Sequence, residues 1–189
     1  IPGVDMTQVD FANGVKLIAF PNRSEANRVY VRVRFGGGLA SLPGDRETPA
    51  WAGGIALVAS GVGTIDQEGL DRMTAGRRIG MDFSTDDDAF EFSATTSPAD
   101  LADQLRMIAS KLYKPRWDPS PVVRARAAML TSLAGEDSSP AAVLQKTLEE
   151  ELHAGDPRWG PPPRAEVEKL TPAQFKAFWA PILASGPRS

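Results

Sequence analysis

Cysteine is absent from this sequence of 189 residues, and histidine occurs once. The first absence removes disulfides, thiolate metal sites, iron–sulfur clusters and cysteine nucleophiles together. The second leaves no imidazole pair for a metal. Charge of one sign is lacking too. Basic residues number 21 against 24 acidic, a net charge of −3, and the densest basic run is only Arg77-Arg78. Nothing in that distribution points to nucleic acid. The longest apolar stretches fall far short of the roughly 20 residues of a membrane span. The opening Ile1-Pro2-Gly3-Val4-Asp5 has neither the charged nor the apolar region of a signal peptide.

What is present suits a soluble globular chain: 42% hydrophobic and 24% charged residues, enough for one domain with a single core. The first third reads as strands. Val4 to Phe11 and Val15 to Phe20 flank Asn13-Gly14, a dipeptide that favours the left-handed turn of a tight hairpin. Val29, Val31, Val33 and Phe35 then alternate with Tyr30, Arg32 and Arg34, giving one buried face. Two further strands, Met81 to Thr85 and Ala89 to Thr95, surround Asp86-Asp87-Asp88.

Helices are marked by their starts. Ser97-Pro98, Ser120-Pro121, Ser139-Pro140 and Thr171-Pro172 each place a capping side chain before a proline suited to the first turn. Thr171 and Gln174 form a capping-box pair. Leu101, Leu105, Ile108 and Leu112 make an apolar stripe at helical period. Two more helices are expected, over Pro49 to Ser60 despite Gly53-Gly54, and from the cap at Thr64 to Gln67 to near Gly76. Strands that do not alternate strictly with helices imply α+β: a two-layer sandwich, one largely antiparallel sheet with helices packed on one face.

Candidate chemistry is sparse. His153, at the end of Glu149-Glu150-Glu151-Leu152, reads as a solvated or dipole-stabilised residue at a helix C-terminus. Asp86-Asp87-Asp88 lacks the spaced ligands of a cation loop and reads as a turn. Gly36-Gly37-Gly38 has neither the lysine of a P-loop nor the second glycine of a dinucleotide fingerprint, and reads as a flexible loop. Trp51, Trp117, Trp159 and Trp179 are too dispersed for a base-stacking platform. Gly53-Gly54 in an apolar helix implies close approach by a neighbouring helix.

The order of these pieces resembles a known family. Asp10-Phe11-Ala12-Asn13-Gly14-Val15-Lys16-Leu17-Ile18 is similar to the opening of pitrilysin/insulinase-type zinc peptidase domains. The strand Val29 to Phe35 with its glycine-rich exit, the segment Asp82 to Lys111, and Gly155-Asp156-Pro157-Arg158-Trp159 followed by Leu170-Thr171 and Phe175 to Trp179 continue the likeness. Active members carry H-x-x-E-H on the first helix, two imidazoles binding zinc and a glutamate acting on bound water. Aligned on Gly63-Thr64, those places hold Gly54, Leu57 and Val58, and the third ligand position falls at Ser132. The resemblance therefore implies a single inactive peptidase-like domain over residues 1–189, the first domain of the silent C-terminal half of a bacterial, periplasmic parent. The missing initiator methionine and the close at Ala184-Ser185-Gly186-Pro187 lead us to expect a fragment. It implies no cofactor in this chain, zinc in a homologous catalytic half, in the same polypeptide or a partner subunit, and peptide as the parent's substrate. The rival expectations are a stand-alone structural or interaction module of the same descent, and an enzyme working through carboxylates such as Glu91 or Asp86.

Overall fold

The computed structural model describes residues 5–21, 24–136 and 140–185. Val4 and Ser139, expected to begin a strand and to cap a helix, lie outside them. Strands β1 (Thr7–Asp10) and β2 (Lys16–Ala19) form an antiparallel hairpin. Gly14 takes the left-handed conformation its turn requires, at φ 85°. Strands β3 (Val29–Phe35), β4 (Asp82–Thr85) and β5 (Phe90–Thr96) make a second antiparallel sheet in the order β3-β5-β4. The architecture is α+β, as the order of elements implied. It differs in one detail: the hairpin is a sheet of its own and makes its extensive contacts internally.

Alternation along β3 divides the sheet. Val31 and Phe35 are buried with Phe90 and Phe92 of β5, whereas Tyr30, Arg32 and Arg34 are exposed on the other face. On the apolar face Phe35, Phe83, Phe90 and Phe92 pack on one another at ring separations of 5.0 to 6.5 Å, and Phe83 and Phe90 meet Trp179, fully buried on the last helix, at 5.3 and 5.0 Å. Tilted and edge-on pairs of this kind add to burial because each ring edge meets a neighbour's electron-rich face.

Helices follow: α1 (Gly53–Ala56), α2 (Gln67–Thr74), α3 (Leu101–Tyr113), α4 (Pro119–Glu136), α5 (Pro140–Leu152), α6 (Arg164–Lys169) and α7 (Pro172–Ala184). The expected helix over Pro49 to Ser60 begins as 3-10 turns at Pro49–Ala52, passes through α1 and ends in turns. Asp66 caps α2 through Gly69 N–H, and Thr171 with Gln174 completes the capping box of α7. Two expectations need correction. The Ser97-Pro98 segment is a turn, Ser97 Oγ accepting from Asp100 N–H, and α3 starts only at Leu101. The apolar stripe of α3 is rotated: Leu105 is exposed while Gln104 and Lys111 are buried, because both polar side chains hold backbone of other segments.

The candidate site and the helix that carries it

The segment Pro49 to Ser60 is held by packing near its middle and by charge at its C-terminal end. Near its middle, Gly53 touches the Phe83 and Trp179 rings so closely that a Cβ there would sit 2.7 Å from Phe83 and 2.8 Å from Trp179. The close approach expected at the glycine pair is thus made by a strand residue as well as a helix residue, and it falls on Gly53. Gly54 is exposed, and a Cβ there would meet nothing nearer than the Phe83 carbonyl at 3.5 Å.

At the C-terminal end, backbone carbonyls left without partners by the helix stop are collected by a lysine. Lys111 Nζ, arriving from α3, donates to the carbonyls of Val58 at 2.7 Å and Leu57 at 3.2 Å, and also to that of Ser60. Burial lowers its pKa to about 8, while the charges of Asp118 and Asp71 oppose that shift. The next residues are clamped in turn. Gly61 N–H donates to Asp118 at 2.8 Å, Gly63 N–H to the Lys114 carbonyl at 2.8 Å, and Arg116 reaches the Thr64 carbonyl at 2.8 Å while pairing with Asp118.

Helix α1 packs against both α4 and β4, so the two helices bearing the motif positions are neighbours. Their side chains do not suit a divalent metal. Gly54 has no side chain, Leu57 is buried at 4% exposure, Val58 is half-buried and Ser132 is exposed. A zinc ion takes imidazole, thiolate or carboxylate donors, and these four supply none. Among the described residues no group of three or more histidines or acids converges on a common point.

The remaining candidates are dispersed. His153 is stacked on Trp159, ring centroids 4.7 Å apart and 10° from parallel, with Nε2 3.4 Å from Glu149. It follows the end of α5, where a solvated or dipole-stabilised residue was expected, and the stack on Trp159 is the addition the structure makes. The Arg158 guanidinium lies over the Trp159 ring, 4.8 Å from its centroid, and its hydrogen bonds pull the Asp156 carboxyl down to about 2. Asp86 to Asp88 form the turn between β4 and β5, where Asp87 accepts from the Trp159 indole at 2.7 Å and Asp88 pairs with Arg34 at 2.5 Å. Glu91 lies buried beneath Arg32 and Arg34 on the polar sheet face, away from that turn. The glycine run is tightly held: the Gly38 backbone packs on the Asp86-to-Ala89 turn, and Leu39 and Ala40 donate to the Asp86 and Asp87 carbonyls. It corrects the expectation of a flexible loop. Lys111 and Gln104, polar side chains that hold backbone of other segments, were missed by sequence reading; a lysine or glutamine at a core position of an amphipathic stripe was the only clue available.

No protein-family model matches the sequence, and no curated protein matches it. Solved structures do. The periplasmic protease PqqL from Escherichia coli superposes with a TM-score of 0.77 at 18% identity over 95% of this chain and 20% of its own. A peptidase M16 inactive domain from Pseudomonas fluorescens gives 0.74 at 19% identity over 93% of this chain and 43% of its own. The first half of PqqL gives 0.74 at 13% identity, again over 94% of this chain and 40% of its own. The chain has the fold of a domain of these proteases, one of the matched structures being an inactive peptidase M16 domain. It spans about a fifth of the length of whole PqqL and about two-fifths of these half-length structures.

Proposed function

We propose that this chain is a non-catalytic domain of a zinc metalloendopeptidase of the pitrilysin/insulinase type, forming chamber wall and domain interface and helping to hold peptide. One observation carries the reading. The fold keeps α1 packed beside α4, yet Gly54, Leu57, Val58 and Ser132 offer no ligand set at the motif positions. Likeness to an inactive domain of the same fold supports it. Zinc and the water-activating glutamate would then reside in a homologous half, within the same polypeptide or on a partner subunit. Strand addition needs only exposed backbone groups and survives loss of the metal. The test is metal analysis and peptide cleavage. The chain alone should retain no stoichiometric zinc after dialysis and cleave no unstructured peptide, and adding a zinc-bearing half should produce cleavage that the half lacks alone. Tightly held zinc, or chelator-resistant cleavage by the chain alone, would overturn it.

A further inference from the structure

Where β4 ends at Thr85, the fold encloses a cavity of about 110 Å³ between the loop carrying Arg46, Glu47 and Thr48, the first helical turn at Trp51, and the connector carrying Arg158. That volume accommodates one long amino-acid side chain. Its charges are unequally committed. Arg158 is fully engaged: Nε and Nη2 bind Asp156 at 2.9 and 2.6 Å, and Nη1 donates to the carbonyls of Ala40 and Leu42 at 3.0 and 3.3 Å. Arg46 is exposed at the rim. Glu47 is half-buried and makes no hydrogen bond or ion pair among the described residues. The influences on its carboxyl are burial and, second, the charge of Glu166, and both raise its pKa. A carboxylate drawn out of water without a donor is destabilised, and an incoming cation relieves that cost.

We propose that this cavity takes one lysine or arginine side chain of a bound peptide, its cation meeting Glu47 and its methylene stem lying against Trp51. The stem of such a side chain packs on apolar surface while its head stays with the charge, and an indole face adds attraction for the cation. A peptide is the fitting source because Thr85 closes β4, an outer strand of the three-stranded sheet, beside which an extended chain would present its side chains to the opening. The assignment rests on the reading of this chain as a peptide-contacting domain.

The experiment is amide NMR of the purified chain titrated with two capped pentapeptides, acetyl-Thr-Val-Lys-Val-Thr-amide and its norleucine counterpart. The lysine peptide should shift Glu47, Thr48, Trp51 and Thr85, and should bind about three- to tenfold more tightly than the norleucine peptide, the range of a partly screened ion pair. Glu47→Gln should erase that preference and leave the remaining spectrum in place. Equal binding of the two peptides, no binding of the lysine peptide, shifts elsewhere, or a preference that survives Glu47→Gln each overturns the assignment. A chain that shows no lysine preference yet restores cleavage to a zinc-bearing half loses only the cavity assignment; one that binds zinc and cleaves alone loses the functional reading.

Discussion

The segment 57–64 and the β1–β2 hairpin are both short stretches of backbone with little regular structure to support them, and the molecule treats them oppositely. In the first, a buried lysine, an arginine and an aspartate each take backbone groups of the segment, and the carbonyls of Leu57, Val58, Ser60 and Thr64 all find donors. In the second, four residue pairs join two strands whose apolar side chains stay in water: Leu17 and Ile18 are 49% and 61% exposed, and Phe20, just past β2, 58%. An isolated two-stranded hairpin is marginal in water. Helix α5 shares the hairpin's condition, with Leu144 and Leu152 exposed and no extensive contact with another element among the described residues. The chain is thus tied down by hydrogen bonds through residues 57–64 and open at two peripheral elements. Along 57–64, charged side chains of α3 and of the connector before α4 take up the backbone groups that follow the first helix.

The largest effect is expected when the same substitution is made in the packed body, at Gly38, and in the hairpin, at Gly14. Gly38 has φ 56°, and a Cβ there would lie 2.2 Å from the Asp86 carbonyl oxygen and 2.4 Å from Ala89 N. Backbone cannot yield as a side chain can, so Gly38→Ala should cost at least about 3 kcal/mol of folding stability, left-handed strain plus forced displacement of the turn. Gly14 has φ 85° with nothing within 4 Å of the same position. Gly14→Ala carries the conformational strain alone, about 1–2 kcal/mol confined to the hairpin, and should leave the urea midpoint of the body unchanged. Similar global losses in the two variants would show that the hairpin is packed as firmly as the body.

Lys111→Met comes next. It keeps the methylene volume and removes the donor from three carbonyls, which should cost about 2–3 kcal/mol. Its pH dependence tests the cause. The native lysine sits near 8 because burial disfavours its charge, whereas the unfolded lysine titrates near about 10.4. Between those values the unfolded chain binds the proton and the native chain does not, so stability rises with pH. The burden of holding the charge in the fold is present in full below pH about 8 and relieved as pH climbs toward about 10. The stability difference between wild type and Lys111→Met, followed by urea denaturation from pH 7 to 10, should therefore widen in favour of wild type. A flat difference would mean that the carbonyls hold the ammonium charged throughout.

Such side chains also mark where sequence reading stops. The alternation of β3, the capping box at Thr171 and the Asn13-Gly14 turn are local, and local rules found them. The exposed Leu105 and buried Gln104 reversed a stripe that looked regular, because Gln104 answers to Gly80 N–H, 24 residues away in sequence. The four motif positions were assigned by spacing from Gly63-Thr64, and the fold adds what spacing lacks, namely that α1 and α4 are neighbours. Glu47 was invisible for a different reason from Lys111. A single acid in a polar loop has no periodicity, and its meaning comes only from the walls around it.

The smallest expected effect lies at the open end of the comparison. Ile18 and Leu148 are 61% and 47% exposed. Removing apolar surface that remains in water forfeits little transfer free energy, so Ile18→Thr and Leu148→Gln should each change stability by less than about 0.5 kcal/mol. Threonine retains the branching that suits a strand, and glutamine the helix propensity of α5, so neither change adds a backbone penalty. Measured by urea denaturation of the chain alone, losses above about 1 kcal/mol would place these side chains in a packed core in solution and erase the distinction between a clamped centre and an open periphery.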